Sequence, residues 1–169
     1  MAYWLMKSEP SGFGIHHLQQ RGQALWDGVR NYQARNFLRQ MQAGDQALFY
    51  HSNCKVPGIV GLMTIVRGGY PDPTQFNPEH RYYDPKSTLD KPRWTGVDVE
   101  FVEQWPEILP LSTLRTIPEL ESLPLLQTGS RLSLMPVSPE QWTVILQHKP
   151  DHQDSSHQAP SNQQQHEAV

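Results

Sequence analysis

Fifteen prolines and eleven glycines in 169 residues force the chain into frequent turns, and short strands joined by tight loops satisfy that demand. At this length the chain has room for one real core and divides poorly into two. Hydrophobic residues make up 37% and charged residues 18% of the sequence, the ordinary balance of a globular domain.

Regular elements can be placed between the turns. Tyr3 to Met6 is a short aromatic and aliphatic run that ends at Lys7-Ser8-Glu9-Pro10 and reads as an opening strand. A short polar stretch around Ile15 to Gln20 has helical character. From Asn31 to Met41, the residues Ala34, Phe37, Leu38 and Met41 fall at i, i+3, i+4 and i+7, one face of a helix. Asn31 is its expected N-cap and Gly44-Asp45 its stop. Ala47 to His51 and Ile59 to Val66 read as neighbouring strands. Gly68 to Trp94 holds five prolines with little periodicity and reads as a long excursion of the kind that often carries function. Val97, Val99 and Phe101 alternate with polar residues as in a half-buried strand, and Leu132 and Leu134 repeat the pattern weakly. Ser138-Pro139-Glu140-Gln141 opens a last helix with a capping box. Residues 1–147 form the expected domain. The composition of 148–169, nearly all His, Gln, Asp, Ser, Asn and Pro, predicts a disordered tail whose four histidines are solvated.

Charge narrows the function. A net charge of −3 argues against a uniformly basic nucleic-acid binder. Met1 to Arg67 nonetheless carries seven basic against three acidic residues, and Gly68 to Gln147 six against eleven, so a locally basic face is open alongside the alternative that halves of a sequence do not map onto faces. Cys54 is the only cysteine, which excludes an intrachain disulfide and makes a reducing cytosol the expected home, or the nucleus if the source is eukaryotic. No stretch approaches a membrane span of about 20 apolar residues.

The densest chemistry lies in Trp26-Asp27-Gly28-Val29-Arg30-Asn31-Tyr32-Gln33-Ala34-Arg35-Asn36-Phe37. Trp26 can stack on a planar ring while Asp27 and Asn31 read polar edges, and Arg30 at a helix start suits an anion. The competing reading makes Trp26 core and pairs Arg30 with Asp27. In Phe49-Tyr50-His51-Ser52-Asn53, His51 is either a general base or a hydrogen-bonded structural group. Cys54 with His51 is at most half of a metal site, so neither metal nor cofactor is expected. Gly58 and Gly61 mark a bulge, a close approach to a ligand, or ordinary strand irregularity. No phosphate loop, nucleophile elbow or zinc-protease motif occurs, and a non-enzyme is expected.

These segments resemble the EVE domain family, and within it the thymocyte nuclear protein 1-like branch. The resemblance rests on Tyr3–Pro10, Trp26–Leu38, Phe49–Asn53, Pro57–Gly61, Tyr83-Asp84-Pro85, Pro92-Arg93-Trp94 and Arg131-Leu132-Ser133. It runs from about Ala2 to Leu146. It implies an α+β, PUA-like fold: a curved, mostly antiparallel sheet closing into a β-barrel with short peripheral helices. It also implies non-enzymatic binding of a modified nucleobase, modified cytosine in DNA above all, as YTH and SRA-type readers on related folds hold an extruded base. Carried onto this chain, the ligand-binding set is Lys7, Ser8, Trp26, Asn31, Tyr50, His51, Ser52 and Asn53, with Arg30, Arg35 and Arg131 holding phosphates. The partner is then a nucleic acid carrying a modified base, or a modified nucleoside, met by a monomer. An enzyme acting on a modified nucleotide through His51 and a protein-interaction module are the alternatives.

Overall fold

The computed structural model describes residues 1–150; the tail expectation falls almost wholly outside them. The elements run β1 (Tyr3–Ser8), α1 (Pro10–Phe13), α2 (Ile15–Arg21), β2 (Gln23–Trp26), α3 (Tyr32–Gln40), β3 (Gln46–His51), β4 (Gly58–Pro71), β5 (Thr95–Pro110), α4 (Leu111–Leu114), β6 (Leu134–Val137) and α5 (Pro139–Gln147). Both strong helix expectations hold at their caps. Asn31 accepts the Ala34 amide at 2.9 Å, and Ser138 and Gln141 form a reciprocal capping box.

The six strands form one sheet in the order β2-β5-β4-β3-β1-β6. Only β1 and β3 pair in parallel, and every other ladder is antiparallel. The expected closure into a β-barrel is corrected here: β2 and β6 stand at opposite edges with no ladder between them. Each is four residues long, too little edge to close on. The apolar faces are covered by other means, with α3 packed against β4, β5 and β6 and α2 against β5. Leu38 and Ala34 of α3 are fully buried, and Trp4 of β1 meets Phe37 of α3 at 6.0 Å.

Gly58 and Gly61 are explained by this sheet. A side chain at Gly61 would collide with the Glu103 carbonyl oxygen of β5, and one at Gly58 with the Leu109 carbonyl oxygen. The ladder shifts register between Ile59 and Gly61. The close approach is to the neighbouring strand's backbone.

The parallel pairing places the site. Because β1 and β3 run the same way, their carboxyl ends finish at one rim, with Lys7 opposite Tyr50 and Ser8 opposite His51. Alternation then sorts side chains by face. Met6, Ser8, Phe49 and His51 face the α1–α2 corner, where Phe13 approaches Phe49 at 6.1 Å. Lys7 and Tyr50 face the other way.

β4 runs to Pro71, so the long excursion begins later than Gly68. Two fully buried polar side chains organise its base. Gln75 donates to the carbonyls of Asp72 and Trp94 and accepts from Ser87 Oγ and the amides of Arg93 and Trp94. Asp72 accepts from Gly28 N, Arg30 Nη1, Thr74 N and Thr74 Oγ1. Every polar atom of both side chains is thereby paired, which is what permits so long a loop to be buried where it leaves the sheet.

Candidate nucleic-acid interface

A cleft of about 1300 Å³ opens at the shared rim of β1 and β3. Its floor and walls come from the end of β1, the α1–α2 corner, the segment Leu25–Asn31, the His80–Tyr82 part of the excursion, and Arg131 and Ser133 before β6. It exceeds the roughly 300–1,000 Å³ of an ordinary small-ligand pocket, leaving room for a base together with its sugar and phosphate.

The structure brings Lys7, Ser8, Trp26, Arg30, Asn31, Ser52, Asn53 and Arg131 to this cleft together. Their freedom to act differs. Trp26 is only 7% exposed and is wedged edge-on between Phe49 at 5.4 Å and Phe13 at 6.1 Å, so it is a core residue with one margin on the cleft. Ser8 already donates its hydroxyl to the Phe13 carbonyl at 2.6 Å. Asn31 spends its side-chain oxygen on the helix cap and keeps its amide N–H groups. Asn53, at φ 51, donates to Glu9 Oε1. Tyr50 is 2% exposed and borders a different cleft.

Arg30 is fully occupied. Its Nε and Nη2 donate to the Tyr82 carbonyl, Nη2 also to Thr74 Oγ1, and Nη1 to the Val29 carbonyl and to Asp72 Oδ2 at 3.0 Å. A guanidinium has five N–H donors, and these contacts use all of them. The partner of Arg30 is Asp72, not Asp27, and the pair rivets the excursion to the loop before α3. Burial pushes the Asp72 carboxyl upward, but hydrogen bonds from Thr74, Gly28 and Arg30 hold it below the usual carboxylate range. Arg35 lies outside the cleft, donating to the Arg93 carbonyl and to Asn36, over the Tyr32 ring.

His51 does not line the cleft. Its Nε2 accepts the Ile15 amide at 3.1 Å, fixing the ring as a support of the α1–α2 corner. Burial and the neighbouring His16 lower its pKa, which keeps it neutral and able to accept.

Asp27, expected from the sequence as a reader of a polar edge, and several residues not singled out there complete the cleft. Asp27 is exposed as a residue and makes no side-chain hydrogen bond or ion pair with another described residue, and the partial desolvation of its carboxyl within the cleft, together with Asp72, raises its pKa. Arg81 and Arg21 stand at the rim over the rings of Tyr82 and Phe13. Gly28, at φ 76, lies directly beneath Tyr82, whose ring a side chain there would strike. The run His80-Arg81-Tyr82-Tyr83 in the excursion was the available signal for this wall. Arg131, Arg81, Arg21 and Lys7 carry no ion pair among the described residues, against Glu9 and Asp27 as the acidic lining.

The EVE domain model matches residues 2–148. Thymocyte nuclear protein 1 of mouse is 48% identical over 163 residues, covering 85% of this chain and 72% of its own length. A crystal structure from Pseudomonas putida is 55% identical with a TM-score of 0.87, covering 88% of this chain and all of that one. The crystal structure of human THYN1 protein in complex with 5-methylcytosine containing DNA is 44% identical with a TM-score of 0.83, covering 89% of this chain and 99% of that one. The expectation of a cytosolic home is corrected by the mouse and human relatives, which are named thymocyte nuclear protein 1. By the family model and by relatives matched over most of both chains, this protein belongs to the EVE domain family.

Proposed function

We propose that the protein binds DNA carrying a modified cytosine, without chemistry, and that the base enters the cleft beside Trp26. The observation that carries this reading is the cleft itself, in which a carboxylate, Asp27, stands among four cations, none of them in an ion pair among the described residues. The likeness to a solved relative that holds 5-methylcytosine containing DNA supports it. A carboxylate accepts from the N4 amino group of cytosine, and the Asn31 amide can donate to the remaining polar edge. An extruded base must also regain stacking, for which Tyr82 and the exposed margin of Trp26 are the available rings. Arg131, Arg81 and Arg21 neutralise phosphates around it.

Equilibrium binding of the purified protein to labelled oligonucleotides differing only in cytosine, 5-methylcytosine, 5-hydroxymethylcytosine or N6-methyladenine, at one fixed salt concentration, tests this. Saturable preference for a modified cytosine is expected. Equal affinity for all four would sink the proposal.

A further inference from the structure

A second cleft, of about 660 Å³, lies on the opposite face of the β1–β3 rim. Lys7, Ser52 and Asn53 line both clefts, so they form the wall between them and the two openings are contiguous. Lys7 and Tyr50 are register partners in a parallel ladder and therefore project from the same face, the one that holds the second cleft.

The charges in this cleft have one sign. Among the described residues, Lys7 and Arg115 are its only charged lining residues. Neither side chain makes an ion pair or hydrogen bond among the described residues. A half-buried ammonium with no carboxylate opposite it is an unfavourable arrangement, and burial pulls the Lys7 pKa down. An anion brought into the cleft removes that cost. Tyr50 adds a neutral donor: burial, with the Cys54 thiol nearby, pushes its phenol up to about 12, so the hydroxyl keeps its proton at neutral pH. Thr128 and Ser130 supply further hydroxyls at the mouth.

We propose that this second cleft is an anion subsite that takes the phosphodiester adjoining the bound nucleotide, with Lys7 and Arg115 as its cations. The inference rests on the reading of the first cleft as the base site, because only a strand that crosses the Lys7–Ser52–Asn53 wall presents a phosphate there. The strand then straddles the end of β1, its base on one face and its next phosphate on the other.

Arg115→Gln, a change at an exposed position, isolates the subsite. Binding of a 5-methylcytosine oligonucleotide and of free 5-methyl-2′-deoxycytidine is measured for both proteins across a fourfold range of salt. Each phosphate neutralised adds roughly 0.7 to 0.9 to the salt slope. The variant is therefore expected to lose about one phosphate's worth of slope, so that its deficit against the parent narrows about threefold over that range. Its preference for modified over unmodified cytosine and its affinity for the nucleoside should stay unchanged. Lys7→Gln should lower the slope in the same way. An unchanged slope in Arg115→Gln overturns the proposal, as does weakened nucleoside binding, which would place Arg115 at the base instead. Loss of slope in a protein that shows no modification preference would leave the phosphate subsite standing and remove the base reading.

Discussion

The Arg30 guanidinium and the Asp72 carboxylate meet at 3.0 Å, with Asp72 fully buried and Arg30 only partly so. This pair joins the loop before α3 to the excursion that supplies Tyr82, and it settles what Arg30 does in the unbound protein. Removing one partner of such a pair leaves the other charge uncompensated, which costs up to about 3–5 kcal/mol in full burial and less here because Arg30 retains some solvent. Arg30→Lys, which cannot make the five-donor set, is expected to lower stability by about 1–3 kcal/mol. Its salt slope for DNA should stay near the parent's. Chemical denaturation and binding at two salt concentrations check this; a stable variant with a reduced slope would show that Arg30 contacts phosphate after all.

The excursion and the loop before α3 also depend on Gly28. Its φ of 76 and the Tyr82 ring lying where a side chain would project exclude alanine on two independent grounds. Gly28→Ala is expected to cost about 1–3 kcal/mol and to displace Tyr82, weakening binding beyond what stability loss explains. Thermal denaturation with DNA titration on the fully folded variant reads both effects, and unimpaired binding would remove Tyr82 from the site.

Much of this arrangement was legible in the sequence and some of it was not, for a physical reason. Helix caps such as Asn31 and Ser138 are local, and they read directly. The Trp26–Asn31 segment and the end of β1 line one cleft. Partners distant in sequence could not be read: Arg30 lies 42 residues from Asp72, and a pairing with adjacent Asp27 was the natural local alternative. β2 was missed because its four residues are too few to show a period. The barrel expectation failed because closure depends on whether β2 and β6 meet, a property of edges that no strand pattern encodes.

His51 carries a pH prediction. Its pKa is lowered in the fold by burial and by His16, so below about 6.5 the unfolded chain takes up a proton that the folded chain resists. Stability is therefore fully present above about pH 6.5 and falls as the pH drops from there toward the depressed folded value. His51→Gln, which offers an acceptor to the Ile15 amide without titrating, should flatten the dependence. Melting temperature measured across that range decides it: an equal slope in parent and variant would assign the effect to other histidines.

Asp27 and Trp26 call for different substitutions. Trp26→Ala would hollow the core at a cost of about 3–5 kcal/mol, so lost binding would say little. Asp27→Asn alters an exposed carboxylate with no partner among the described residues and should leave stability within about 0.5 kcal/mol. If the Asp27 carboxylate accepts from the cytosine amino group, the variant loses about 1–3 kcal/mol of binding, roughly fivefold to 150-fold in affinity for modified and unmodified cytosine alike. Unchanged affinity for both the 5-methylcytosine and the unmodified-cytosine oligonucleotide would exclude Asp27 as the reader of that edge.

The most direct test of the central claim is a titration of isotopically labelled protein with a 5-methylcytosine oligonucleotide, followed by the indole N–H resonances of its five tryptophans and by backbone amides. Binding in the cleft predicts that Trp26 and the amides of Asp27, Gly28, Val29 and Ser133 shift together, while Trp105 and Trp142 stay in place, and that unmodified DNA produces smaller shifts at the Trp26–Val29 segment. Shifts confined to other surfaces, or the same pattern and size with unmodified DNA, would contradict it.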